Sequence, residues 1–135
     1  MRLSREALAA ATAHATQARP WECCGVIIET AGEQMTHRMR NVAGDPRHEF
    51  HMPDEDVVAM WRDIDRTKAR LIAVYHSHVT SIPEPSRQDL DYARFIPAPM
   101  LIIGWSNGLP IYRAWTVQNG QARQQWISIT NPRTP

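Results

Sequence analysis

His76 and His78 stand one residue apart in the stretch YHSHVTSIPEPSRQDLDYA, residues 75–93. Side chains alternate faces along a strand, so residues two apart point the same way. On a strand the two imidazoles project together, roughly 6–7 Å apart at the backbone. That suits two ligands of one small cation, since neutral imidazole binds zinc with Zn–N of about 2.0–2.1 Å. Asp89 lies eleven residues beyond His78, across a Pro-rich turn and into a helix. Its carboxylate would complete a set of two histidines and one aspartate. Three protein ligands leave the fourth tetrahedral position for water, which is the catalytic rather than the structural form of a zinc site. Zinc held this way lowers the pKa of that water and polarises a carbonyl. The residues alone leave a second reading open. A histidine pair at a strand end can be ordinary polar surface, and Ser86-Arg87-Gln88-Asp89 has the S-x-x-D form of a helix cap.

Other chemistry-bearing residues carry less. His14, His37, His48 and His51 have no partner at ligand spacing and read as surface or loop residues. Cys23 and Cys24 are adjacent, a spacing that forms no useful disulfide, and read as small buried residues of a strand. There is no Gly-rich phosphate loop, and a thiol protease built on Cys23 lacks its signature.

The elements that must position these residues follow from pattern. Ser4 caps a helix with Ala7, Leu8, Ala11 and Ala15 at helical spacing, ended by Arg19-Pro20. Residues 23–29 read as a buried strand, and residues 35–41 as its returning partner. Residues 41–52 read as a loop with a short extended end. Pro53 and the acids after it open a helix to about Lys68, its apolar face made of Val57, Met60, Trp61 and Ile64. Residues 71–78 are the clearest strand, apolar at first as a central strand should be. A helix runs from about Ser86 to about Arg94. Residues 100–105, 109–117 and 122–129 read as three closing strands, with Asn107-Gly108 and Asn119-Gly120 as hairpin turns. The expected fold is α/β of the α+β type, a mixed curved sheet flanked by two to three helices in one domain over residues 1–135.

Bulk composition narrows the class. Hydrophobic residues make up 43% and charged residues 21% of the 135, as in a soluble globular chain. Net charge is +1 and the arginines are scattered, so no basic stripe marks a nucleic-acid binder. No apolar run is long enough to span a membrane. The Ala-rich N-terminus has His14, Gln17 and Arg19 where a leader's apolar region and cleavage site should be, so it reads as a helix and the expected location is cytoplasmic.

The string as a whole, His76, His78, Ser86 and Asp89, resembles the signature of the JAMM (MPN-plus) metalloproteases at every position. From this chain's composition, a chance match of those four residues is roughly one in two thousand. That family also carries a glutamate upstream at the first core strand, and Pro20-Trp21-Glu22-Cys23-Cys24-Gly25 stands in that place. Without the resemblance, Glu22 reads as a solvated acid at a strand start. With it, His76, His78 and Asp89 resemble the ligands of one zinc ion per chain, Glu22 the general base and acid, and Ser86 the group that steadies the oxyanion. The resemblance implies a zinc peptidase or isopeptidase. The connection Phe95-Ile96-Pro97-Ala98-Pro99 leaves no room for the insertion that ubiquitin-chain enzymes of the family carry there. The chain looks most like the bacterial branch acting on small ubiquitin-like sulfur-carrier proteins, where the amide just after a C-terminal Gly-Gly is hydrolysed to release an amino acid such as cysteine or a short tail. Glycines suit a narrow trench, and strand addition to a sheet edge beside the metal is the expected binding mode. The loop at 41–52 is the expected flanking wall. Two other classes stay open: a non-catalytic MPN-type interaction module, and a metallopeptidase of small cell-wall-type peptides. A homodimer through the helix at 53–68 or the C-terminal strands is a further expectation.

Overall fold

A computed structural model describes residues 1–131; the expected domain boundary at residue 135 lies outside them. The chain runs β1 (Arg2–Ser4), α1 (Arg5–Ala18), β2 (Cys24–Thr30), β3 (Glu33–Met39), α2 (Asp54–Thr67), β4 (Arg70–Ser77), α3 (Arg87–Tyr92), β5 (Met100–Ser106), β6 (Leu109–Gln118), β7 (Gln121–Gln125) and β8 (Ser128–Thr130). Six strands form one mixed sheet in the order β3-β2-β4-β5-β6-β7. Only β4 and β5 pair in parallel within it. A parallel pair needs a crossover, and this one carries the segment from His78 through α3 to Pro99. The topology thus places α3 beside the end of β4. No helix among the described residues is long and apolar enough to cross a membrane.

Three hairpins close with Ala31-Gly32, Asn107-Gly108 and Asn119-Gly120, each with positive φ at both positions. That is the turn whose twist matches paired strands. Ser4 caps α1 by accepting from the Ala7 amide, a contact worth about 1 kcal/mol. The expected last strand, 122–129, is interrupted. β7 stays on the sheet edge, while β8 leaves it to pair in parallel with β1. The N-terminus causes the break: the Met1 ammonium donates to the Trp126 carbonyl, and the Ser128 amide donates to the Met1 carbonyl. Trp61, expected on the buried face of α2, is 37% exposed, and Met60 is the buried residue there.

The sheet has an apolar layer on each face. Leu3, Ala7, Ala11 and Ala15 lay α1 against Ile27, Ala73, Tyr75, Leu101 and Ile103. On the other face Cys24, Val26 and Val74 meet Phe50, Met52, Met60, Tyr92 and Ile96. Each fully buried Leu or Ile side chain contributes about 1.5–3 kcal/mol. A register shift leaves Ile72 without a partner on β2, so Ile72 and Ala73 share the α1 layer; from Ala73 onward the alternation along β4 is strict. Ala73 and Tyr75 look toward α1, while Val74 and the even-numbered residues after it look toward α2 and α3.

Tyr75 lies flat over Gly25. A Cβ at Gly25 would stand 2.3 Å from the Tyr75 hydroxyl and 2.4 Å from its ring. The hydroxyl is pinned in turn by His14 Nδ1 at 2.7 Å. His14, expected at the surface, is half-buried in this contact, whereas His37, His48 and His51 are exposed. Burial, with the Arg38 charge adding, pushes the His14 imidazole down to about 4.

Two outcomes are expected. Gly25→Ala lowers stability by about 1–3 kcal/mol through overpacking; an unchanged urea midpoint would show that the ring moves aside freely. His14 binds its proton less readily folded than unfolded, so it contributes a loss of stability as pH falls from about 6.5 to about 4. Denaturation curves across that range should show a shallower pH dependence in His14→Asn than in the wild type; parallel curves would remove His14 from the account.

Candidate functional site

The alternation of β4 carries His76 and His78 to the face covered by α2 and α3, and both are buried. Their Nε2 atoms are 3.2 Å apart. Asp89 comes from the first turn of α3. Its Oδ2 stands 3.1 Å from His76 Nε2 and 3.0 Å from His78 Nε2. Those separations are close to the roughly 3.3 Å edge of a tetrahedron built on about 2.0 Å metal–ligand bonds. The cap of α3 sets the aspartate. The Ser86 hydroxyl accepts from the Asp89 amide at 3.1 Å, and the Ser86 amide donates to Asp89 Oδ2 at 2.9 Å. The expected S-x-x-D cap and the expected ligand position are thus one structure.

The two imidazoles are held by different means. His78 Nδ1 donates to the Ile82 carbonyl at 2.7 Å, which leaves Nε2 as the lone-pair nitrogen of a neutral ring. Pro83, next to that carbonyl, is clamped by the far strands. The Trp115 indole donates to the Pro83 carbonyl at 3.0 Å, Arg113 pairs with Glu84, and the Pro83 ring fills the space where Gly104 has no side chain. The His76 ring stacks on Phe50, centroids 4.4 Å apart. His76 Nδ1 is buried without a hydrogen-bond partner among the described residues.

Two imidazole lone pairs and a carboxylate oxygen converging this closely repel one another unless a cation lies among them. A proton relieves one contact of the triangle, and a divalent metal relieves all three. Without a metal, burial disfavours the charged form of His76 and lowers its pKa. Burial also opposes charge on His78, but its bonds to Asp89 and Ile82 outweigh this and raise it. Burial alone would raise Asp89; the facing imidazoles and the Ser86 amide hold it well below the usual carboxylate range.

Glu22 sits just before β2 and is buried at 5% exposure. A carboxylate oxygen of Glu22 and one ring nitrogen each of His76 and His78 lie within 4.8 Å of one another. Either carboxylate, Glu22 or Asp89, therefore makes a set of three donors with the histidines. The Asp89 set is tighter, and its oxygen is oriented by the Ser86 amide. Glu22 Oε1 is buried without a partner among the described residues. Burial pushes the Glu22 carboxyl up to about 8, with Asp89, Glu49 and Asp45 adding to the rise and His78 opposing it. The structure thus brings together all five expected residues, Glu22, His76, His78, Ser86 and Asp89.

Cys23 and Cys24 are buried on opposite faces of the sheet and form no disulfide. Burial pushes both thiols up, Cys23 to about 11. Phe50, the Ile82 carbonyl and Trp115 carry no sequence signal of their own. The loop at 41–52 flanks Glu22, the Pro46 carbonyl accepting from the Glu22 amide at 2.7 Å. A cleft of about 370 Å³ opens between this loop and α3, lined by Val42, Glu49, Phe50, Tyr92 and Phe95 among others. A larger groove of about 580 Å³ runs along α1 and Tyr112, away from all five residues.

Residues 4–118 match the model of the family described as prokaryotic homologs of the JAB domain. Among curated relatives, a tail tip assembly protein K of Escherichia phage N15 is 28% identical over 78% of this chain, which spans only 42% of the phage protein's length. A desampylase of Haloferax volcanii is 29% identical over 72% of this chain and 71% of its own. A CysO-cysteine peptidase of Mycobacterium tuberculosis is 29% identical over 62% of this chain and 59% of its own. In fold, the chain is similar to a protein from Desulfitobacterium hafniense, with TM-score 0.81 at 21% identity over 97% of this chain and 93% of that one. It is also similar to a JAB1/MPN domain protein from Archaeoglobus fulgidus, with TM-score 0.63 at 16% identity over 96% of this chain and 98% of that one. With the family model covering most of its length and the signature residues gathered at one point, this chain belongs to the JAMM/MPN family, among the prokaryotic homologs of the JAB domain.

Proposed function

We propose that this chain is a zinc-dependent peptidase or isopeptidase that hydrolyses the amide after the C-terminal Gly-Gly of a ubiquitin-like sulfur-carrier protein. The observation that carries the reading is the buried triangle of His76, His78 and Asp89 with Glu22 beside it, its Oε1 without a hydrogen-bond partner among the described residues. The triangle's edges and its lack of an internal counter-charge fit zinc. When bound there, zinc supplies Lewis acidity to the scissile carbonyl and acidifies a water. Glu22 takes the proton from the attacking water and passes it to the leaving amine. Its buried position raises its proton affinity above that of an exposed carboxylate, which suits holding the proton between the two steps, and a cation bound beside it would favour the carboxylate form that accepts that proton. Ser86 uses its lone pair for the Asp89 amide, which leaves its own O–H to donate to the oxyanion. The names of the desampylase and CysO-cysteine peptidase relatives support the substrate class.

Strand addition beside the site meets a constraint. β4 is paired with β2 on one side and β5 on the other, so the free edges of the large sheet are β3 and β7. A tail entering from the loop at 41–52 would meet the end of β3 first. The match to a phage tail tip protein favours a second reading, a peptidase of small cell-wall-type peptides.

One assay separates these. Zinc-loaded protein is incubated with ubiquitin-fold carriers extended by one or two residues past Gly-Gly, and with small peptides, and intact masses are read with and without a chelator. Chelator-sensitive loss of the added residues is the expected result; cleavage of the peptides alone would replace the substrate class. Glu22→Ala is expected to lose about 10²–10⁴ in rate while still binding zinc, and His76→Ala to lose both. Normal cleavage by Glu22→Ala would remove its assigned role. Ser86→Ala is expected to slow turnover by about 10²–10³ and to lower stability by about 1 kcal/mol through the lost cap. A stability loss without a rate loss would reduce Ser86 to a cap.

A further inference from the structure

Asn41 follows β3 at the root of the loop, and its side-chain amide is fully engaged. Nδ2 donates to the Glu22 carbonyl at 3.0 Å and to the Glu49 carbonyl at 3.0 Å. Oδ1 accepts from the Ala43 amide at 3.0 Å and from the His51 amide at 3.1 Å. Two carbonyls lie on one side of the amide and two N–H groups on the other, so its orientation has no alternative. The residue is half-buried, and losing its side chain would strand four backbone groups.

Glu22 depends on this contact more than its neighbours do. Asp89 has a bond from the Ser86 amide to orient its carboxylate. Glu22 Oε1 has no hydrogen-bond partner among the described residues. The position of the Glu22 carboxyl is therefore inherited from its backbone and packing. That backbone is held by the loop on both sides, through the Pro46 carbonyl on its amide and Asn41 on its carbonyl. The same amide gathers residues 43, 49 and 51, which bracket Phe50, the residue stacked on His76.

We propose that Asn41 is a positioning residue of the reaction, acting through Glu22. The inference rests on Glu22 being the proton-transferring carboxylate. Aspartate at position 41 keeps the shape but turns an oxygen toward the two carbonyls that now receive N–H groups. Alanine removes the side-chain partner of all four groups.

Asn41→Asp and Asn41→Ala are tested as zinc-loaded full chains, against a carrier extended past Gly-Gly. The expected result is a fall in kcat of about 10- to 100-fold, the scale of a misplaced catalytic group, with KM and zinc content unchanged. Backbone amide exchange is read on the same samples. The Glu22 amide should exchange at least about tenfold faster than in the wild type, while the β4 amides keep their rates. Unchanged kcat, a change in KM alone, loss of zinc, or unchanged exchange at Glu22 would each overturn the proposal. Should the wild type itself cleave nothing, the functional reading fails, and the exchange measurement still decides whether Asn41 holds Glu22.

Discussion

Asp89 Oδ2 meets the Ser86 amide and two imidazole nitrogens within 3.1 Å, with the aspartate and both imidazoles buried. Buried polar groups that face one another with lone pairs raise the energy of a fold. The rest of the structure can be understood as what keeps these groups there. The parallel pairing of β4 with β5 forces a crossover, and the crossover delivers α3. The cap of α3 spends both of its reciprocal bonds on the residues that matter, Ser86 and Asp89. β5 and β6 hold Pro83, and through the neighbouring Ile82 carbonyl they fix one tautomer of His78. A contact of this kind fixes the orientation of an imidazole and raises the basicity of its other nitrogen.

The helices, the central strand and the hairpin turns were legible because each rests on a local rule. Asn-Gly pairs favour positive φ, Ser4 and Ser86 have a cap's chemistry, and the period-two alternation of 73–78 determines which residues share a face. The site was legible for the same reason: four of its five residues lie within fourteen positions on two adjoining elements. Glu22 was not readable on its own, because a single acid before a strand has no partner in sequence. What closed over it was also unreadable. The stacking of Phe50 on His76, the burial of His14 against Tyr75 and the pairing of β1 with β8 across almost the whole chain are tertiary contacts with no local signature. The strand expected at 122–129 broke for such a reason, since the chain's own N-terminus competes for its backbone.

The loop at 41–52 shows how a segment beside Glu22 is held in place without regular structure. It contains no helix or strand. Its shape comes from one asparagine side chain, a bond between the Val42 amide and the His51 carbonyl at 2.8 Å, and the Arg47 guanidinium resting 5.0 Å from the Trp21 ring centroid. Glu49 reaches Gln88 on α3 from the other side of the cleft. The loop beside Glu22 is thereby tied to the elements that carry the imidazoles and Asp89.

The strict phase of β4 has an evolutionary reach. Tyr75 and His76 are neighbours in sequence but belong to opposite layers, one sealing α1 and the other facing α3. Inserting or deleting a single residue between Ala73 and Tyr75 would exchange their faces, driving a phenol toward Glu22 and Asp89 and an imidazole into the apolar layer. Length changes in descendants of this chain should therefore be purged from 73–78 and accumulate in the 93–99 connection and at the outer strands of the sheet. The spacing of His76 and His78 is thus a demand of strand parity before it is a demand of chemistry.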